Sequence, residues 1–320
     1  MRSKIYNWFL SPRQLVGASI LRIILGIIIM YTYVIHYPLR RYLWTDDGII
    51  NNSLYVELNR IPISVYGLSD SIVTFEILYH LGFLFAFLFT IGFGGKLIQI
   101  LCYIFIFSLN NRNGLITDGG DNLMHLVLFY MIFMNVTTHF AIKTKILEDN
   151  RSFITRIKER FKDKLTIIHN FSVIFVIVQL CFLYFMAGTY QIMGEKWMNG
   201  TAIYYIMQVE QYSTQLLPDF LLKNSLFLVI ITYFSIVIKI AFPFSLFNRY
   251  MKYLAISGII IFHLGIGIAM GLITFSAIMI AIDSLILNDQ EYQAMYSKGR
   301  ELKAKITSYV NIKRYREGLK

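Results

Sequence analysis

The sequence predicts an all-α protein, a polytopic bundle of about eight transmembrane helices with both termini in the cytoplasm. Three observations lead to this prediction. Hydrophobic residues make up 56% of the chain and charged residues only 15%, whereas a typical soluble domain has about 25% charged residues. Mean hydropathy is +0.56, and lysine and arginine are concentrated between alternate apolar segments. We expect one membrane domain over residues 1–288 and a basic cytoplasmic tail over residues 289–320.

Eight apolar segments approach or exceed the length needed to cross about 30 Å of hydrocarbon at about 1.5 Å per helical residue. The first contains Arg22 and lacks a small-residue cleavage pattern, so we expect a retained span and not a signal peptide. The third is short and the last two adjoin each other, so seven and nine spans are the alternatives to eight. The segments lie at residues 13–36, 71–93, 96–110, 121–142, 166–190, 224–243, 253–270 and 272–288.

Lysine and arginine fall mainly on one side of this segmentation. With the N-terminus inside, the inner segments hold 22 of them and the outer segments 6, which is the asymmetry of the positive-inside rule. The densest runs, residues 143–165 and the tail, are expected to be basic amphipathic helices on an anionic leaflet. A docking surface for a cytoplasmic partner is the alternative. Because topology explains the net charge of +11, the expected partner is the lipid bilayer and not nucleic acid.

Several ionisable residues lie within the predicted spans, where each is costly unless it is paired or faces water. Glu76 and His80 share one helix face at i, i+4, His125 lies one turn after Asp121, and His263 lies in the second-last span. The topology places all four groups in the outer half of the bilayer. They are therefore candidate catalytic residues around an outward-facing polar pocket. Hydrogen bonds that merely hold the helices together are the alternative.

The other intramembrane charges have simpler expected roles. Lys239 lies near the cytoplasmic end of its span and is expected to extend to the interface. Arg22 and Asp283 are expected to form a structural ion pair. A metal site is not expected, because the histidines show neither a His-x-x-x-His spacing nor a cluster of ligands in a loop.

Two outer loops carry the candidate substrate-binding residues. In NNRNGLITDGGD, two aspartates bracket a glycine pair at the start of a helix, and Asp121 is expected to be the N-cap. The run AGTYQIMGEKWMNGTAIYY, from Ala187 to Tyr205, places polar and aromatic side chains between two long apolar segments. The candidates from these loops are Arg112, Asp118, Asp121, Gln191, Lys196, Trp197, Thr201 and Tyr204.

Four stretches together resemble the HTTM family, the membrane domain shared with vitamin K-dependent gamma-carboxylase. They are RIILG from Arg22, ITDGGDNLMHLVLFY, the W-x-x-G-T-A-x-Y-Y run from Trp197, and FHLGIGIAMGLITF. Within that family the chain looks most like the sporulation-delaying-protein B group. This resemblance implies a multi-pass protein of the bacterial plasma membrane that acts, with a small companion protein, in producing a secreted peptide toxin.

The resemblance also implies where a carboxylase would hold its catalytic base. In related sequences a lysine lies six positions before the tryptophan, and here that position is Gln191. An amide cannot accept a proton, so the sequence argues against carboxylase activity. Lys196 has the wrong spacing to replace that lysine.

Three functions follow as alternatives. The first is a toxin-maturation factor whose outer cavity receives a precursor peptide. The second is an enzyme that uses a quinone or lipid cofactor and a His/Glu pair as its base. The third is a transporter or immunity protein with proton coupling through Glu76 and His80.

Overall fold

A computed structural model describes residues 9–59, 62–142, 160–214, 216 and 223–317, and within these ranges every regular element is helical. In chain order the α-helices are α1 Leu15–Ile35, α2 Arg40–Trp44, α3 Asn52–Leu58, α4 Ile72–Ile91, α5 Gly95–Arg112, α6 Gly119–Phe133, α7 Lys162–Met193, α8 Glu195–Met198, α9 Ala202–Ile206, α10 Ser225–Ser245, α11 Arg249–Met270, α12 Ile273–Asp283 and α13 Asp289–Glu317. Most of the basic segment at 143–165 lies outside the described residues.

Each of the eight predicted spans contains a helix, and five of these helices are long and apolar enough to cross a membrane: α1, α4, α7, α10 and α11. Helices α5 and α6 have 18 and 15 residues, and α12 has only 11. At about 1.5 Å per residue, α12 is roughly 16 Å long, about half the thickness of the hydrocarbon. The chain is thus a helical membrane protein, while the eight-span count and the cytoplasmic termini stay predictions.

Helix α1 lies at the centre of the bundle, with Leu21, Leu25 and Ile29 fully buried. It packs most extensively against α4 and also contacts α12. A Cβ added at Gly17 would lie 2.4 Å from the carbonyl oxygen of Ser284. Only glycine allows this approach, which brings the backbone of α1 against the end of α12.

Arg22 is fully buried, and in the described part of the chain its hydrogen-bond acceptors are all backbone carbonyls. Its acceptors are the oxygens of Val136 at 3.0 Å, Phe89 at 2.9 Å, Phe140 at 2.6 Å and Thr90. Two of these oxygens belong to the last turn of α4, where carbonyls lack partners within the helix and attract a cation. The expected ion pair between Arg22 and Asp283 is therefore wrong.

Helix α7 and the helices after it form the second part of the bundle. α7 packs against α6 and most extensively against α10, while α11 packs between α10 and α12. A Cβ at Gly188 of α7 would lie 2.7 Å from the side chain of Ile240. The close contact between α7 and α10 brings together the polar side chains described next.

Candidate functional site

Glu76 and His80 lie on α4, beside the segment that follows α1. Glu76 accepts hydrogen bonds from Arg40 Nε at 2.9 Å and Arg41 Nε at 2.7 Å. His80 Nδ1 lies 2.6 Å from the Glu76 carbonyl oxygen, and its Nε2 lies 3.3 Å from the hydroxyl of Tyr37. Glu76 thus fastens α2 to α4, and His80 remains exposed beside it.

His125 lies between α5 and α6. Asn110 Nδ2 donates to its Nε2 at 3.1 Å, and its ring lies 5.4 Å from that of Phe107. Its Nδ1 is buried and has no hydrogen-bond partner among the described residues. The contacts of His125 are therefore those of a side chain between two packed helices.

His263 lies on α11 and is 2% exposed. Its Nε2 lies 3.1 Å from the hydroxyl of Tyr184 on α7, and its ring lies 5.7 Å from that of Phe275 on α12. No hydrogen bond, ion pair or ring contact joins Glu76 and His80 to either of the other two histidines. The four predicted groups thus occupy three separate environments, and their role as one site stays a prediction.

Lys239 reaches the environment of His263 from α10. The lysine is only 8% exposed, and its Nζ lies 4.3 Å from the ring centroid of Phe262 and 5.9 Å from that of Trp197. Among the described residues it has no hydrogen-bond acceptor, and it interacts electrostatically with His263. The expectation that Lys239 extends to the interface is wrong, because Phe262 of the neighbouring helix α11 covers its ammonium group.

Gln191 faces the same region from α7. Its Nε2 donates to Ser235 Oγ at 3.3 Å, one turn before Lys239 on α10. Asp283, the last residue of α12, is 2% exposed and interacts electrostatically with Tyr184. We use the name four-helix cluster for this set, which is contributed by α7, α10, α11 and α12: Tyr184, Gln191, Lys239, His263 and Asp283.

Several buried polar atoms in and beside this cluster lack a hydrogen-bond partner among the residues that the structure describes. They are His263 Nδ1, Gln191 Oε1, Ser276 Oγ and both carboxylate oxygens of Asp283. A buried polar atom left without a partner costs about 1–3 kcal/mol. Native proteins satisfy such atoms with ordered water or with a ligand. The cluster is therefore a candidate site for a polar ligand, because several of these atoms come from neighbouring helices.

The DGGD turn contacts the cluster through one aromatic ring. Asp118 Oδ1 accepts from the N–H groups of Gly120 at 2.7 Å and Asp121 at 3.2 Å, and Asp121 Oδ2 accepts from the N–H of Asp118 at 3.0 Å. Asp118 is thus the N-cap of α6, and the expectation that Asp121 fills that position is wrong. Gly120 packs on Phe275, whose ring contacts His263.

Arg112 lies elsewhere, beneath α3. It is 1% exposed, its Nη2 donates to Asn52 Oδ1 at 3.2 Å, and its Cζ lies 5.0 Å from the ring centroid of Tyr55. Its Nε and Nη1 have no hydrogen-bond partner within the described ranges. These contacts join α5 to the first loop, and a ligand role for Arg112 stays a prediction.

The loop after α7 forms the rim of the cluster. Trp197 is half-buried above Lys239, and the Tyr233 hydroxyl donates to the Met198 carbonyl at 2.7 Å, which ties the loop to α10. Three further candidates are exposed or half-buried on this rim. Lys196 Nζ lies 3.6 Å from the ring centroid of Tyr205, and the ring of Tyr204 packs on Tyr205. The Thr201 hydroxyl donates a hydrogen bond to Asn199 Oδ1.

Sequence reasoning missed Tyr184 and misjudged Lys239 and Asp283. The tyrosine gives no signal in an apolar run, because tyrosines are frequent in this chain. The two charged residues did give a signal, since each is an intramembrane charge. Which partners they meet depends on how α10 and α12 pack.

Comparison with curated proteins finds the sporulation-delaying protein SdpB of Bacillus subtilis strain 168. The two chains are 23% identical over 236 residues, which is 72% of this chain and 69% of the relative. No family model matches the chain, so membership of the HTTM family stays a prediction. No solved structure matches it. The similarity and the apolar helices together support an SdpB-like membrane protein.

Proposed function

We propose that this chain is a membrane protein that assists production of a secreted peptide toxin, and that the four-helix cluster receives part of the precursor peptide. The observation that carries the proposal is the similarity to SdpB over 72% of the chain. The resemblance noted in the sequence connects that group with toxin production. The bacterial plasma membrane, a small companion protein and the precursor peptide are parts of this proposal.

The chemistry of the cluster supports a peptide as its ligand. The ammonium of Lys239 and the hydroxyl of Tyr184 are donors for peptide carbonyl or carboxylate oxygens, and Gln191 Oε1 has no partner and can accept a peptide N–H. Phe262 and Trp197 present apolar rings around the ammonium. Such a mixture suits a segment with a polar backbone and apolar side chains.

The rim supports entry from the membrane interface. Trp197 is half-buried, and Tyr204 and Tyr205 are 48% and 46% exposed. Tryptophan and tyrosine favour the interface because one end of each side chain is apolar and the other forms hydrogen bonds. A membrane-associated peptide would meet these rings before it reached Lys239.

A lipid- or quinone-dependent enzyme is the second candidate, and one observation favours it. The position at which the resemblance implies a lysine base is Gln191, yet Lys239 reaches the same cluster from α10. A buried amine beside His263 has the chemistry of a general base. Consumption of a reduced quinone by the purified protein would distinguish this function from peptide handling alone. Proton coupling through Glu76 is disfavoured, because two arginines stabilise its charged form.

The experiment compares secreted peptides from a deletion strain complemented with single variants. Lys239→Met keeps the length of the side chain and removes its charge, and Lys298→Met removes one charge from the exposed face of α13 as a matched control. We expect Lys239→Met to lower the amount of mature peptide, measured by mass spectrometry, at least about tenfold. This is the effect of losing one charge-assisted hydrogen bond between the lysine and the precursor peptide. Protein level is measured in parallel. Equal product from both variants at equal level would refute the role of the cluster.

A further inference from the structure

A second candidate site lies just past the C-terminal end of α10, between α11 and α13. A cavity of about 550 Å³ opens there between the start of α11 and the start of α13. Its polar lining includes Arg249 and Lys252 from α11, and Asn288, Gln290 and Glu291 from the beginning of the tail. None of these residues belongs to the four-helix cluster.

The charges of this cavity leave one cation available. Lys252 Nζ lies 2.6 and 2.8 Å from the two carboxylate oxygens of Glu291, so these two charges neutralise each other. Glu291 also accepts from the Tyr253 hydroxyl and the Asn288 N–H, both at 2.8 Å. Within the described ranges no carboxylate pairs with Arg249, which is exposed at the cavity and interacts there with the hydroxyl of Tyr253. The cavity therefore favours an anion, held by Arg249.

The surface beside the cavity is apolar to an unusual degree. Phe247 is 91% exposed, Tyr250 81% and Leu254 67%, and all three lie on or next to the first turns of α11. A soluble protein rarely exposes such a patch. In a membrane protein this surface meets lipid acyl chains, and basic pockets between helices beside such surfaces bind anionic headgroups. A free phosphate would use the cation but not the apolar patch.

We propose that this cavity binds the phosphate of an anionic phospholipid through Arg249, with the acyl chains along Phe247 and Tyr250. Amide groups of Asn288 and Gln290 supply further donors for the phosphate and glycerol oxygens. Because the lining comes from both α11 and α13, the lipid bridges the membrane helices and the tail.

The first residues of the tail already hold α13 against the membrane helices at this position. Asp289 accepts from the N–H groups of Val16 at 2.8 Å and Leu15 at 3.2 Å, and so caps the start of α1. Gln14, the N-cap residue itself, supplies no side-chain hydrogen bond. A lipid seated between α11 and α13 would reinforce a junction that also includes α1.

The test titrates the full-length protein, purified in a neutral detergent, with phosphatidylglycerol or phosphatidylcholine and counts bound lipids by native mass spectrometry. Glycerol 3-phosphate is the soluble competitor. We expect saturable binding of phosphatidylglycerol, weaker binding of phosphatidylcholine, and no competition. Arg249→Gln should weaken phosphatidylglycerol binding about fivefold, as expected for the loss of one basic residue at an anionic surface. Arg300→Gln, an equal charge change on exposed α13, should leave it unchanged.

A third variant, Ala294→Trp, fills the cavity without changing any charge and should also weaken binding. Equal weakening by Arg249→Gln and Arg300→Gln would mean that only net charge matters, and would overturn the proposal. Competition by glycerol 3-phosphate would overturn the lipid assignment in favour of a soluble phosphate. If phosphatidylglycerol and phosphatidylcholine bound with equal affinity, the proposal that the site selects an anionic lipid would be overturned.

Discussion

Two adjacent glycines at the start of α6 should respond in opposite ways to the same substitution. Gly120 is buried, and a Cβ there would lie 3.0 Å from Phe275 Cα and 3.0 Å from Asp118 Oδ1. At Gly119 the nearest atom to an added Cβ is Phe275 Cε2 at 3.9 Å, which is ordinary van der Waals contact. Neither glycine has a positive φ. Alanine therefore fits at position 119 without a clash, whereas at position 120 it is crowded by Phe275.

The magnitudes follow from these distances. Gly120→Ala forces the backbone of α12 to move by a few tenths of an ångström, because the obstructing Phe275 Cα is main chain. Overpacking of this kind costs about 1–3 kcal/mol. Gly119→Ala restricts the unfolded chain without a clash, and should be neutral or stabilising by up to about 1 kcal/mol. The two variants should thus differ by roughly 1–4 kcal/mol.

Thermal unfolding of the purified protein can be followed with a thiol-reactive dye, because Cys102 is 2% exposed in the folded chain. We expect the midpoint of Gly120→Ala to fall below that of the unsubstituted chain, and the midpoint of Gly119→Ala to equal or exceed it. Equal loss in both variants would show that the contact between α6 and α12 is not as tight as described. A gain in Gly120→Ala would refute the reasoning outright.

Two further predictions concern single hydrogen-bonded groups. Tyr184→Phe should cost about 1–3 kcal/mol, because it removes the one hydrogen bond that buried His263 makes within the described residues. The control Tyr190→Phe, on the exposed surface of α7, should be neutral in the same thermal assay. Burial alone would raise the pKa of Glu291, but hydrogen bonds from Lys252, the Asn288 N–H and Tyr253 outweigh it and hold that pKa below its usual value. The stability that this lowered pKa contributes is present above the ordinary carboxyl pKa and is lost as the pH falls through the lowered value. Acid should therefore make the tail susceptible to limited proteolysis. In Glu291→Gln, which has no carboxyl group to protonate at this position, the susceptibility should no longer change over that pH range.

The positions of the helices could be predicted from the sequence, because long apolar runs and their flanking polar residues are local features. The cap of α6 was also within reach. Asp118 precedes a second acidic residue by three positions, which is the spacing of a capping box, and the structure shows both halves of that motif. The expectation for Asp121 was wrong because in a capping box the first acidic residue, Asp118, is the N-cap, and Asp121 accepts the reciprocal bond from the Asp118 N–H.

The partners of buried charges could not be predicted, because they depend on packing between distant elements. Arg22 is satisfied by backbone carbonyls, which leave no trace in the residue pattern. Lys239 is covered by Phe262, and that contact requires the crossing of α10 and α11. Glu76 and His263 were placed at similar depth, yet α4 packs on α1 and α5 while α11 packs on α10 and α12. Depth alone does not determine which residues become neighbours.

The unpartnered atoms of the four-helix cluster have a consequence for how its ligand would act. The cluster has four such atoms, and Ser276 Oγ lies beside it; at about 1–3 kcal/mol each, the five would together cost about as much as the whole stability of an ordinary domain. A polar ligand that bonded these atoms would remove this cost. Because its residues come from four helices, a ligand bound to them would hold α7, α10, α11 and α12 in one arrangement. Gly120 sets the position of α12 through Phe275, which contacts His263. Gly120→Ala should accordingly reduce the amount of secreted peptide even at temperatures at which the protein stays folded. If the amounts of peptide and of protein were both unchanged, the position of α12 would not matter for the site.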